Sequence, residues 1–145
     1  MKDRCLIENG YYQVYNRGNR KEVTFYEDQD YQQFLVFTYR SAKKWGVGII
    51  TYCLINNHYH FVLKQYKSDS LPKFMHSLGT AYGMYINRKY NLVGHVFQGT
   101  YKSTYIDSYE SLYNEINYVI NNPIKHELVE SIDDYPWVKN PPEMF

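Results

Sequence analysis

The apolar positions of this 145-residue chain change their period several times, and each change marks an expected element. Tyr11-Tyr12-Gln13-Val14-Tyr15-Asn16 is aromatic and β-branched enough to predict a first strand, ending near Gly18. From Asp28 to Lys44 the period lengthens. Tyr31, Phe34, Leu35 and Thr38/Tyr39 recur at three and four, with acids at the start and lysines at the end, as the macrodipole of a helix prefers; Gly46 stops it. Two strand-like runs, Val47 to Leu54 and Tyr59 to Leu63, flank Asn56-Asn57, residue types that tolerate the positive φ of a tight turn, and so predict an antiparallel hairpin. Leu71, Phe74, Met75, Leu78, Tyr82, Tyr85 and Ile86 outline a second amphipathic helix, after which Gly94 and Gly99 bracket a loop. Tyr101 to Ile106 reads as a fourth strand. A last helix opens at Asp107 or Ser108, either of which can cap it, and Pro123 closes the pattern.

The order β-α-β-β-α-β-α predicts an α+β fold. Its first six elements match the ferredoxin-like (RRM-like) arrangement, an antiparallel sheet with two helices on one face and the other face open for a site. With 44% hydrophobic residues the chain can fill one core. No repeat, low-complexity tract or linker interrupts it before Asn140-Pro141-Pro142, so residues 1–145 are expected to form a single domain whose positions 124–145 are an acidic C-terminal tail. The start of the chain is too polar for a secretory signal, and no apolar run approaches the length of a membrane span, which places the protein in the cytoplasm. Cys5 and Cys53 are far apart without a Cys-x-x-Cys, so they read as reduced structural thiols and not as zinc ligands.

Chemistry first enters at His58-Tyr59-His60. Alternate residues of a strand share a face, so Tyr59, Phe61 and Leu63 go to the helix-covered side and His58, His60 and Lys64 to the open one. Two neutral imidazoles so placed can share one divalent metal. The last helix supplies the second feature. At 100° per residue, Tyr109, Leu112, Tyr113, Ile116, Val119 and Ile120 fall in one apolar sector, whereas Tyr118 falls nearly opposite, with Ser111, Asn114, Glu115 and Asn122. Tyr118 therefore has no packing reason for its position. A metal-polarised phosphodiester attacked by a phenol would give a covalent tyrosine ester, and Asn122, one turn beyond Tyr118, can add an amide oxygen to the metal. On the residues alone two other readings stay open: a non-catalytic module that binds single-stranded nucleic acid on an RRM-like sheet, and a metal hydrolase without a covalent step.

At these residues the chain resembles the HUH single-tyrosine transposases, in particular the REP-associated tyrosine transposases of bacteria. The resemblance runs in order through Tyr15-Asn16-Arg17-Gly18-Asn19, the Asp28 to Leu35 helix start, Asn57-His58-Tyr59-His60, Phe74-Met75-His76-Ser77-Leu78-Gly79, Gly94-His95-Val96-Phe97-Gln98-Gly99 with Tyr101-Lys102-Ser103, Tyr118 to Pro123, and Asp134-Tyr135-Pro136-Trp137. It departs at Ile55-Asn56, where that family usually has Met-Pro, and at Thr100, where it commonly has Arg. The resemblance implies cleavage of single-stranded DNA beside a hairpin, through a 5′-phosphotyrosine intermediate and a divalent metal, Mg²⁺ or Mn²⁺, followed by rejoining or transfer. It implies Tyr118 as the nucleophile, His58 and His60 as metal ligands and Asn122 as the third protein ligand. A homodimer and association with the bacterial nucleoid are further expectations from it.

Charge first argues against a nucleic-acid partner, because the chain carries a net +1. That figure averages unlike halves. Residues 1–106 hold fourteen Lys and Arg against seven Asp and Glu, and residues 107–145 hold two against eight. Arg17, Arg20, Lys21, Lys64 and Lys102 are the candidates for phosphate contacts, with Tyr15 or Tyr101 to stack on unpaired bases. His76, His95 and His126 are expected to be structural or DNA-facing. An acidic tail over a basic palm predicts that trimming after Trp137 leaves or raises DNA affinity.

Overall fold

The computed structural model describes residues 6–19 and 23–140. Strand β1 (Tyr11–Arg17) leads through helix α1 (Asp28–Trp45) into the hairpin of β2 (Val47–Ile55) and β3 (His58–Gln65). Helix α2 (Ser70–Tyr90), strand β4 (Lys102–Ile106) and helix α3 (Tyr109–Ile120) follow. A short helix α4 (Asn122–Lys125), a single 3₁₀ turn (Ile132–Asp134) and strand β5 (Val138–Lys139) complete the chain. The strands lie in the order β4-β1-β3-β2-β5, every neighbour antiparallel. The first four strands have the ferredoxin-like order that the element sequence predicted; β5 extends it by one edge strand.

Local chemistry sets the boundaries. Gly46 ends α1 in the left-handed region at φ 72°, its N–H donating to the Ala42 carbonyl. Ser108 caps α3, its hydroxyl accepting the N–H of Ser111 at 3.1 Å. Pro123 does not merely close α3; it sits in the first turn of α4, where its missing N–H has no intrahelical partner to lose. A bulge between Ile49 and Thr51 reverses the parity of β2. Val47 and Ile49 before it, and Tyr52 and Leu54 after it, therefore all face the same core.

Two apolar layers result. The larger lies between the sheet and α1/α2 and is built from Val14, Phe34, Tyr59, Phe61, Leu63, Phe74, Leu78 and Tyr82 among others. The second face is not fully open: Leu112, Ile116 and Val119 of α3 bury against Cys53, Ile55, Val62 and Ile106. Helix α3 must bury its apolar stripe somewhere, and Val62, between His60 and Lys64, gives the sheet an apolar patch to receive it. The buried stripe is narrower than the periodicity implied, since Tyr109 and Tyr113 are exposed. Residues 126–139 likewise pack back onto the domain. The Tyr135 hydroxyl donates to the Leu54 carbonyl at 2.6 Å, and the Trp137 ring stacks on Tyr31 at 4.8 Å. Among the described residues no helix is long and apolar enough to cross a membrane.

One buried charge locks the helix pair. Asp30, with no side-chain exposure, accepts Lys89 Nζ and Tyr85 Oη at 2.8 Å, Tyr90 Oη at 2.6 Å and the Tyr26 N–H at 3.0 Å. Burial alone would raise its pKa, but these donors outweigh it and hold the carboxyl below its ordinary 3.8. The folded protein thus keeps Asp30 ionised where the unfolded chain takes up a proton. This contribution is complete only well above 3.8, and it is lost as pH falls through that value and on through the lower folded one. Asp30→Asn is expected to cost about 3 kcal/mol at pH 7 in urea denaturation and to flatten the loss of stability on acidification.

Candidate active site

The end of the sheet where β1 stops and β3 starts forms one wall of a cleft of about 900 Å³. Gln13, Tyr15 and Arg17 project from β1 and His58 and His60 from β3. Lys102 and Thr104 come from β4, Glu115 and Tyr118 from α3, and Lys125, His126 and Leu128 from the segment beyond it. Alternation places the strand residues together: Tyr15 pairs with His60 and Arg17 with His58 in the β1–β3 register, so all four share a face. The Tyr15 ring lies 4.8 Å from His60 and 6.0 Å from His58.

The two imidazoles are 5% and 8% exposed, with centroids 5.2 Å apart. Burial lowers the pKa of His58, opposed by the hydrogen bond that the protonated ring can donate to Asn122 Oδ1 and reinforced by the neighbouring His126. Burial pushes His60 down to about 3, helped by the charges of His58, His126 and Lys125. Both rings are therefore neutral at physiological pH, the form in which imidazole binds metal.

The hydrogen bonds indicate which lone pairs are free. His58 Nδ1 lies 2.7 Å from Asn57 Oδ1, which can only accept, so Nδ1 carries the proton and Nε2 a bare lone pair. That Nε2 faces Asn122 Oδ1 at 3.3 Å, while Asn122 Nδ2 is buried without a hydrogen-bond partner. Two acceptors therefore face each other across a gap that suits two ligands of one divalent ion, each about 2.1 Å from it. Without an ion, a flip of the amide would let Nδ2–H donate to Nε2. A donor set of two imidazoles and an amide oxygen suits a divalent cation, with positions left for water and phosphate. Among the described residues there is no group of three or more His, Cys, Asp and Glu set to hold a metal.

Tyr118 closes the cleft from the opposite side. Its ring meets His60 edge-on at 5.6 Å, and Lys125 Nζ lies 5.1 Å from its centroid. The side chain is 44% exposed, as its position opposite the buried stripe of α3 requires. Arg17, Lys102 and Lys125 outnumber Glu115 on the walls, and Arg17 is steadied by its Nε donating to Gln98 Oε1 at 2.7 Å.

The cleft thus gathers His58, His60, Tyr118, Arg17, Lys102 and Tyr15, with Asn122 behind His58. Lys64 lies at the other end of β3, over the rings of Tyr11 and Tyr66, and is not brought into it. Arg20 and Lys21 lie outside the described residues. His76, His95 and Tyr101 line a different groove, beside α2. Asn16 is spent on the backbone, accepting the Arg17 N–H at 2.9 Å. His126, expected to be structural or DNA-facing, stands in the cleft 5.1 Å from His58. Sequence reasoning passed over Gln13 and Lys125. Gln13 could have been found from its alternation with Tyr15 and Arg17; nothing local marks Lys125.

With this geometry in place, comparison gives a consistent result. A family model described as IS200-like transposases matches residues 7–122. The structure resembles that of a REP-associated tyrosine transposase bound to a REP hairpin, with a TM-score of 0.73 at 16% identity over 95% of this chain and 81% of that one. It also resembles a Deinococcus radiodurans R1 protein assigned as a transposase, with a TM-score of 0.57 at 13% identity over 84% of this chain and 96% of that one. At these identities the two structures bear on the fold. No curated protein matches the sequence.

Proposed function

Because the chain belongs to the IS200-like transposase family, we propose that its cleft nicks and rejoins single-stranded DNA beside a hairpin, with Tyr118 as the nucleophile. The observation that carries this reading is the edge-on approach of Tyr118 to His60 within one chain, which puts a phenol and an imidazole pair on two sides of one basic cleft. The strand lies with its phosphates against Arg17, Lys102 and Lys125, and Tyr15 offers a ring for an unpaired base. Arg20 and Lys21 are kept as further phosphate contacts, and the hairpin as the partner.

The Tyr118 phenol gives up its proton to solvent and its oxygen bonds to the scissile phosphorus. The bond from phosphorus to the upstream 3′-oxygen breaks, and that oxygen takes a proton and leaves as a free 3′-OH. The downstream strand stays attached as a 5′-phosphotyrosine. Since one phosphodiester is exchanged for another, attack by a 3′-OH reverses the step and rejoins or transfers the strand. His58, His60 and Asn122 would hold Mg²⁺ or Mn²⁺, which when bound polarises a non-bridging phosphate oxygen. The whole chain acts as one domain, and the segment after residue 124 contributes Lys125, His126 and Leu128 to the cleft wall.

The polarity of the adduct tests this. An oligonucleotide carrying a hairpin and a single-stranded flank, incubated with the protein and Mn²⁺, is expected to give a denaturant-resistant adduct that retains a 3′-end label. A 5′-end label should leave as a shorter strand bearing a 3′-OH. An adduct that retains the 5′ label, or one that maps by mass spectrometry to a residue other than Tyr118, would refute the assignment.

A further inference from the structure

Two amides on the cleft wall contact the imidazoles, and the proposed reaction does not use them. Asn57 Oδ1 lies 2.7 Å from His58 Nδ1, and Gln13 Nε2 lies 3.1 Å from His60 Nδ1. We infer that Gln13 and Asn57 are positioning residues that fix which ring nitrogen each histidine turns to the metal. The inference rests on the proposed metal-binding role of His58 and His60.

The argument is one of proton count. A neutral imidazole that gives Nε2 to a metal carries its hydrogen on Nδ1, and a buried Nδ1–H needs an acceptor. Asn57 Oδ1 already serves His58. Gln13 reaches the same atom of His60 from the neighbouring strand; as placed it presents Nε2, a donor, and a half-turn about its last torsion presents Oε1 to an Nδ1 that carries the proton. Each contact also fixes ring rotation, because a flipped imidazole would present Cδ2 to the amide. Tyr15 packs against His60 at 4.8 Å, so the ring is held on its face by the phenol and at its Nδ1 edge by Gln13. The two amides come from different elements, Gln13 from β1 and Asn57 from the β2–β3 turn, so the orientation of the pair depends on the register between β1 and β3.

The test uses Mn²⁺ alone as the probe, its free fraction read by electron paramagnetic resonance in the full-length protein without DNA. Gln13→Leu is expected to weaken Mn²⁺ binding by about 10- to 100-fold, and Gln13→Glu, which keeps an acceptor at the same reach, to stay close to wild type. Wild-type-like affinity in Gln13→Leu overturns the inference, as does a Gln13→Glu protein as weak as Gln13→Leu, the result of a purely structural role. Should Gln13→Leu fail to fold, the wild-type protein loaded with Zn²⁺ decides. Long-range ¹H–¹⁵N spectra should show Nε2 ligated and Nδ1 protonated in both histidines, and the opposite assignment refutes the proposal. A wild-type protein that binds no metal sinks the ligand assignment itself, whereas metal binding indifferent to Gln13 sinks this inference alone.

Discussion

Replacing Tyr118 by Phe is expected to abolish the covalent adduct, lowering its rate of formation by at least about a thousandfold, with Mn²⁺ and hairpin binding unchanged. The expectation is sharp because the substitution removes one oxygen and leaves every packing contact. The ring would still meet His60 edge-on, and Lys125 would still lie over its face. At 44% exposure the hydroxyl is no core hydrogen-bonding group, so stability should change by no more than about 0.5 kcal/mol. The measurement is the adduct band on a denaturing gel, with anisotropy of a labelled hairpin as the binding control. A metal hydrolase without a covalent step would cleave equally well in the variant, and a pure binding module would cleave in neither protein. The three readings open to the sequence are thus separated by one substitution.

The sequence was informative wherever a local period carried the answer. The positions of β1, α1, the β2–β3 hairpin and α2 followed from alternation, helical spacing and Gly46; the turn falls at Asn56-Asn57 as expected, but neither residue takes the positive φ that their types suggested. The strand order followed from the element order. What local pattern cannot show is how the last helix and the chain beyond it use the second face. Strand β5 is only two residues long and exists through its pairing with Tyr52 and Cys53. Val62 was a signal that went unread: an apolar residue between His60 and Lys64 on a face expected to be open is what α3 needs for docking. In the site, His58 and His60 were legible because strands have period two, and Tyr118 because it broke the apolar stripe of α3. Lys125 and His126 come into the cleft only because α4 turns the chain back toward β3, which is a tertiary fact.

That same docking of α3 leads to a second expected result. Mixing a His58→Ala/His60→Ala protein with a Tyr118→Phe protein should yield no adduct above either alone, although each carries what the other lacks. Complementation requires Tyr118 of one copy to reach the histidines of another. Here α3 is fixed to its own sheet by Leu112, Ile116 and Val119, all nearly or fully buried against Cys53, Ile55, Val62 and Ile106. Exposing those three side chains to exchange α3 would cost about 1.5–3 kcal/mol each, or roughly 5–9 kcal/mol together, unless a partner's sheet repaid it. The connection from β4 to α3 is short, with Asp107 alone before the Ser108 cap, so α3 cannot swing far from the strand it follows. A homodimer is compatible with this provided each subunit keeps its own site. Adduct restored in the mixture to a substantial fraction of wild type would mean that α3 is exchanged between copies, and the cleft would then be a shared site.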